Sequence, residues 1–317
     1  MDLDYVLPLR WESGEGLDEL TRYLSWLAGL VRVIVVDGSP GPLFALHARR
    51  WRGLVVHVPP DPGLRYANGK VNGVTTGLRL ARAERVVIAD DDVRYDEAGL
   101  VAVHRLLGEY DLVRPQNYFL PMPWHARWDT ARTLLNRALG ADYPGTLGVR
   151  RSRLGAGYDG DVLFENLELI RTVQARGGRV VSAPGLYVRR LPCSARRFWS
   201  QRVRQAYDDL AQPARLALSL SLLPVAGVAV ARRAYRPLLA GAALAVLLAE
   251  AGRRRAGGSA VFPAGASLFA PVWLLERGVC GWLALAAAIT GGVPYAGRRL
   301  RRAAHSLRWL RRHAYGL

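Results

Sequence analysis

The chain has 317 residues, half of them hydrophobic, and a formal net charge of +18. That length allows one large domain and something smaller, with a sizeable core. Nearly all the charge is arginine, Lys70 being the only lysine, and from Arg196 onward the arginines alternate with the longest apolar runs; this argues against a nucleic-acid surface, which needs an exposed basic stripe, and for anionic lipid. The first thirty residues have neither a basic start nor a cleavable apolar core, so the N-terminal part is expected to stay in the cytoplasm. Cys193 and Cys280 lie far apart in unlike surroundings, which argues against a disulfide framework or a cysteine metal site.

Residues 5–9 read as a first strand, followed by a polar loop containing Glu12. Leucines at 17, 20, 24, 27 and 30 have helical spacing, and 31–36 is a second strand ending at Asp37-Gly-Ser-Pro. Residues 54–58 predict a strand, 70–83 a helix, and 86–88 a strand of β-branched residues. This alternation predicts a Rossmann-like α/β domain, a mixed but mostly parallel sheet flanked by helices. Further along, the pattern predicts a helix over 97–107, a strand at 112–115 and an amphipathic aromatic helix over 124–139. A loop at 145–151 enters a strand or turn. A helix over 163–176, short strands at 180–183 and 186–188, and an arginine-rich helix over 194–210 follow. Gln212-Pro213 marks a boundary, giving domains 1–212 and 213–317.

Val86-Val-Ile-Ala-Asp-Asp-Asp-Val93 ends an apolar strand in three carboxylates. Ligands of open α/β sheets bind beyond the carboxyl ends of strands. Adjacent acids there suit a hard divalent cation, Mg²⁺ or Mn²⁺. Successive strand residues face opposite sides, so Asp91 can point away from the side that Asp90 and Asp92 share. No Gly-x-Gly-x-x-Gly follows the first strand, and Gly-x-x-x-x-Gly-Lys-Ser/Thr is missing too, so a nucleotide must be held in another way. The six histidines show no ligand spacing, and His125, between Trp124 and Trp128, reads as packing.

The last hundred residues hold four apolar stretches, 216–231, 237–249, 260–275 and 278–296, separated by basic or mixed breaks. Each is short or marginal for a crossing helix, and some are expected to lie in the interface with arginines at the headgroups. With both the N-terminal domain and the basic tail 298–312 cytoplasmic, the number of crossings should be even. Glu276-Arg277, the least basic break, is the expected external turn.

In order along 4–210, these landmarks resemble glycosyltransferase family 2, the inverting enzymes of the GT-A fold. Val6-Leu-Pro8-Leu and Glu12 resemble the opening strand and its nucleotide contact, and Val33-Ile-Val-Val-Asp37 the strand whose Asp meets the nucleobase. Asn68-Gly-Lys70 through Gly77-Leu78 resembles the helix before the metal strand, and Asp90-Asp91-Asp92 the Asp-x-Asp motif. Gly145 through Arg151 resembles the acceptor-side loop, Glu165-Asn166 with Glu168 the Glu-Asp motif of the catalytic base, and Gln201-Arg-Val-Arg204 the Gln-x-x-Arg of membrane-bound members. Gly291 through Arg298 resembles the stretch after the last helix of enzymes that glycosylate ceramide-like, hopanoid or carotenoid lipids.

The resemblance implies a GT-A domain followed by an all-α apolar membrane-associated region at the inner membrane, with the catalytic domain cytoplasmic. It implies transfer of one sugar, with inversion, from a nucleotide sugar (most often a UDP sugar) to a membrane lipid or lipid-linked acceptor, with Mn²⁺ or Mg²⁺. Pro8, Glu12, Asp37, Lys70, Asp90, Asp91, Gln201 and Arg204 would bind the donor, Asp90 nearer its ribose or base, and Asp92 would be the first choice as metal ligand. Two positions depart from the pattern. Asn166 stands where the base Asp is expected, and asparagine cannot take a proton; Glu165, Glu168 or Asp161 would substitute, or the acceptor is a polyprenyl phosphate that needs no base, or the chain is a silent sugar-nucleotide scaffold. Gln205 replaces the motif's Trp, which speaks against a processive synthase.

Overall fold

The computed structural model describes residues 1–155, 157–295 and 297–313. The chain forms two compact units. The first comprises Met1–Asn117, Pro144–Val188 and the tail from His305. In chain order it starts with β1 (Asp4–Leu9), α1 (Leu17–Ala28), β2 (Arg32–Asp37), α2 (Gly41–Arg50), β3 (Val56–Val58), α3 (Gly69–Leu80), β4 (Arg85–Ala89), β5 (Val93–Arg94) and α4 (Glu97–Leu106). The second unit comprises Tyr118–Tyr143 and Arg189–Ala304. Strand β6 (Leu112–Phe119) leads into its α5 (Trp124–Leu139); β7 (Thr146–Arg150), α6 (Glu165–Ala175) and β8 (Val180–Arg190) follow.

The eight strands make one mixed sheet in the order β3-β2-β1-β4-β7-β6-β8-β5. Strands β1 to β4 run parallel, with Val6 opposite both Ile34 and Ile88. Strand β7 is antiparallel to β4, Ile88 facing Leu147. Buried Val, Ile and Leu on both faces of β1, β2 and β4 are what a sheet covered by helices on each side requires. Helix α3 lies close on β1 because it presents glycines there. A Cβ on Gly77 would stand 2.3 Å from Val6 Cγ1, and one on Gly73 3.0 Å from Pro8 Cβ.

Several elements differ from the expectation for identifiable reasons. Helix α2 has no apolar period in the sequence because its buried face carries His47. The helix expected to reach 83 stops at Leu80, where Ala81 turns extended. The two strands expected at 180–188 are one, since proline's fixed φ at Pro184 lies in the extended region. The helix expected over 194–210 is broken into α7 (Ala195–Ser200), α8 (Arg202–Tyr207) and a 3₁₀ turn, Asp208–Ala211.

The second unit continues with α9 (Pro213–Ala231), α10 (Tyr235–Arg254) and α11 (Ala270–Ile289), then a hairpin of β9 (Val293–Tyr295) and β10 (Arg298–Leu300). Ala296, inside the motif compared above, lies outside the described residues. These compact units divide the chain differently from a cut at 212: α5 and α8 pack with the apolar helices. Among the described residues, three segments are long and apolar enough to cross a membrane, Pro213–Ala231, Tyr235–Ala260 and Ala264–Ile289. The turn expected at Glu276-Arg277 is absent: both residues lie inside α11. Their charges are met there, with Trp128 Nε1 and Arg202 Nη1 donating to Glu276 at 3.1 and 3.4 Å, and Arg277 donating to Gln205 O at 2.7 Å. A charge paired inside a helical layer need not break the helix. The tail returns to the first unit as α12 (Leu307–His313), packed on α6.

Replacing Gly77 with Ala is expected to lower stability by about 1–3 kcal/mol through overpacking against Val6. A depressed unfolding temperature of the detergent-purified protein checks this; an unchanged one would mean that α3 has room to lift off β1.

Candidate active site

Of the candidate residues in the first unit, Lys70, Asp90 and Glu165 meet beyond the end of β4. Asn68 caps α3, its side chain accepting from Lys70 N and donating to Val162 O at 3.0 Å. Asn68 N donates to Gly160 O at 2.9 Å, and Ala67 N to Asp161 Oδ1 at 2.8 Å. These bonds stitch the start of α3 to the segment before α6, which brings Lys70 and Glu165 together across 95 residues of chain.

Lys70 Nζ lies 2.5 Å from Asp90 Oδ1 and 2.6 Å from Glu165 Oε1. Burial opposes its charge, but Asp90 and Glu165 outweigh burial and hold the ammonium well above lysine's ordinary range. Tyr158 beside this cluster is pushed up by burial first and then by the Glu165 charge, so it stays a neutral phenol. The Asp90 backbone is fixed by Asp90 N donating to Gly145 O at 2.9 Å, and Thr146 Oγ1 donates to Ile88 O at 2.8 Å.

The three acids of the turn have separate fates. Asp90 pairs with Lys70. Asp91 Oδ2 accepts from Trp11 Nε1, while Arg94 holds the turn by donating to Asp91 O at 2.7 Å. Asp92 is half-buried. A single carboxylate of this kind matches Mg²⁺ or Mn²⁺ sites that are completed by substrate phosphates rather than by a protein cage. A carboxylate at this position is compatible with such an ion. Pro8 is half-buried at the end of β1, and Glu12 is exposed and paired with Arg10 at 3.4 Å.

Asp37 is more enclosed than a nucleobase contact would suggest. Its side chain has no exposed surface; Oδ2 lies 2.7 Å from His47 Nδ1 and 3.0 Å from His57 Nε2, and Oδ1 accepts from Ser39 N at 2.9 Å. His47 stacks on Trp51 and His57 on Phe44. The three ligand-capable atoms lie within 4.8 Å of one another, so the group could hold a metal ion. Its nitrogen-rich donors suit zinc-like metals rather than Mg²⁺, and the observed separations are hydrogen-bond lengths. The cluster was invisible in the sequence because its members are ten residues apart on separate elements; the pairing of β2 with β3, which sets Val35 opposite His57, is the signal that joins them.

The residues around the base motif are all engaged. Asn166 Nδ2 donates to Pro144 O at 3.0 Å. Glu168 is fully buried, accepting from His305 N at 2.7 Å and facing His305 Nδ1 at 2.9 Å. Burial pushes its carboxyl up, against the pull of His305. Glu168 thus fastens the tail to α6. Gln201 and Arg204 belong to the second unit. Gln201 sits at the break between α7 and α8, and the Arg204 guanidinium lies 5.4 Å from the Tyr295 ring centroid. His125 bonds to Cys193 O at 2.7 Å among Trp124 and Phe198, a packing role.

Burial alone would raise the Asp37 carboxyl; hydrogen bonds from His57, Ser39 and His47 outweigh it and bring it down to about 2. A depressed acid stabilises the fold above the ordinary carboxylate range and loses that contribution as pH falls toward the depressed value. Asp37→Asn is therefore expected to cost about 2 kcal/mol at neutral pH, with the gap to wild type closing between about pH 4 and pH 2. Unfolding of both proteins across that range checks it; a constant gap would contradict the cause given.

Neither a family model nor a curated protein matches the chain. Solved structures do. A mannosyltransferase from Pyrobaculum calidifontis, in complex with GDP-Man and Mn²⁺, aligns at a TM-score of 0.52 and 19% identity, covering 89% of this chain and 87% of that one. Glucosyl-3-phosphoglycerate synthase from Mycobacterium tuberculosis, with Mn²⁺ and UDP-glucose, aligns at 0.44 and 19%, covering 64% and 76%; at that score it adds nothing to the argument. Strand order, the acidic turn at the end of β4 and the first of these alignments agree: the chain has the GT-A fold, followed by apolar helices of a membrane-associated region.

Proposed function

We propose that the chain is a glycosyltransferase that moves one sugar, with inversion, from a nucleotide sugar to a lipid or lipid-linked acceptor, working on the cytoplasmic side of the inner membrane. One observation carries this reading: three separate elements converge on Lys70, Asp90 and Glu165 at the carboxyl edge of the parallel strands, beside Asp92. The fold likeness to a mannosyltransferase solved with GDP-Man and Mn²⁺ supports a nucleotide-sugar donor and a divalent ion. UDP sugars remain the first choice of donor. A bound Mg²⁺ or Mn²⁺ neutralises charge on the departing diphosphate. Asp92 would hold the ion, and Asp90 would keep Lys70 charged and aimed. Lys70 would contribute a compact positive charge to the donor. Pro8, Glu12, Asp37 and Asp91 would shape the nucleotide side, and Gln201 and Arg204 would contact the diphosphate.

The acceptor is best read as a lipid phosphate such as a polyprenyl phosphate. The side chains weighed as base are each otherwise occupied. Asn166 has no basic atom, Glu168 is bound by His305, Asp161 accepts from Ala67 N, and Glu165 would have to give up its ion pair to take a proton. A phosphate monoester is already deprotonated near neutral pH. Its oxygen would attack the anomeric carbon while the carbon–oxygen bond to the diphosphate breaks, with no proton to remove.

Detergent-purified protein with Mn²⁺ or Mg²⁺ is expected to release nucleoside diphosphate slowly from one member of a nucleotide-sugar panel, and Asp92→Ala to abolish the release. Donor binding without release, even with membrane lipid extract, would favour a silent scaffold. With the donor known, Glu165→Gln is expected to keep activity toward a polyprenyl phosphate within about tenfold, whereas loss of a general base costs about 10²–10⁴-fold. A loss in that larger range, with donor binding intact, would return the reading to a hydroxyl acceptor.

A further inference from the structure

The apolar helices reverse the usual arrangement of a soluble helical layer. Helix α11 buries Trp273, Arg277, Gly278, Gly281 and Ala284, and exposes Val272, Leu275, Val279, Trp282, Leu283 and Ile289. Helix α9 buries only Ser219, and α10 exposes Leu239, Leu244 and Leu247. A contiguous apolar face of this size marks an interaction surface. The length and composition of the helices commit it to hydrocarbon. Arg232, Arg233 and Arg236 are exposed at the turn joining α9 to α10, where anionic headgroups would meet them.

Each helix is riveted to a polar one. Arg202 of α8 bridges Asp129 of α5 at 3.1 Å and Glu276 of α11 at 3.4 Å, and Arg277 lies 3.7 Å from Asp209. On α9, Ser219 Oγ donates to Asp209 Oδ2 at 2.9 Å, and Arg215 bonds to Asn136 of α5. On α10, Gly252 O accepts from the buried Arg137 of α5 at 3.0 Å, and a Cβ on Gly252 would stand 1.9 Å from Leu134 O. Beyond Ser219, α9 has only the stretch to Ala231, and beyond Arg277, α11 only the stretch to Ile289. At 1.5 Å per residue each is about 18 Å long, against a hydrocarbon core of about 30 Å. A full crossing would draw the ion network, with α5 and α8, into lipid, where unshielded charge is costly. Connectivity agrees. The chain leaves the first unit after Val188 and rejoins it at His305, so the crossings must be even in number, and three candidate segments cannot all cross.

We propose that α9, α10 and α11 form a monotopic anchor: their outer faces enter one leaflet of an anionic bilayer from the side of the first unit, and none of them crosses. This does not depend on the reaction proposed above.

The test is single-cysteine labelling with a membrane-impermeant maleimide in the full chain carrying Cys193→Ser and Cys280→Ala. Arg232→Cys, Ser259→Cys and Thr290→Cys probe the ends of the helices, and Ser13→Cys reports the side of the first unit. Spheroplasts and inverted vesicles of an expressing bacterium present the two faces in turn. The expected result is that no probe labels from the face opposite Ser13→Cys, while all three react once detergent is added. Labelling of any probe from the opposite face overturns the proposal, because it requires a crossing. Recovery of the protein in the soluble fraction overturns it as well.

Discussion

The architecture of the first unit turns on the only lysine of the chain. Lys70 comes from the start of α3, Asp90 from the end of β4 and Glu165 from the start of α6, and one ammonium holds both carboxylates within 2.6 Å. Buried charge is tolerated only when it is paired, and removing one partner of such a cluster leaves the others uncompensated. The loops on either side are therefore drawn to one point. Asn68 and Asp161 fix the approach of the two helices, and the close seat of α3 on β1 through Gly73 and Gly77 sets the height of Lys70 above the sheet. The same cluster places a positive charge beside the acidic turn, where a diphosphate and its cation would lie.

The second unit obeys the same rule of paired charge with the opposite solvent preference. The ion pairs of Arg202 and Glu276 lie on the inner face, among α5, α8 and α11, and many aliphatic side chains face outward. This explains why Glu276 and Arg277 sit in mid-helix and why Gly252, Gly278 and Gly281 line the helix contacts. The proposed lipid acceptor would suit a face of this kind, since its chain would remain in hydrocarbon while its head meets the donor.

Much of this was legible in the sequence because it depends on local patterns. Alternating strands and helices gave β1 to β4, and an apolar run ending in acids gave the turn at Asp90–Asp92. What escaped reading depends on contacts distant in the chain. The Asp37–His47–His57 cluster needs the pairing of β2 with β3, and α2 was hidden because His47 occupies its buried face. Glu168 has the residue type of a base, but its two oxygens serve His305, 137 residues away. The break read at Glu276-Arg277 failed because hydropathy cannot tell a solvated charge from a paired one.

The central claim is that the edge formed by Lys70, Asp90, Glu165 and Asp92 is the donor site. Calorimetric titration of Mn²⁺ into the detergent-purified protein, with and without nucleoside diphosphate, tests it most directly. The account predicts Mn²⁺ binding only with the nucleotide present, lost in Asp92→Ala while the unfolding temperature stays unchanged. Mn²⁺ binding without nucleotide that survives Asp92→Ala and disappears in His57→Gln would place the ion at the Asp37 cluster and contradict the account.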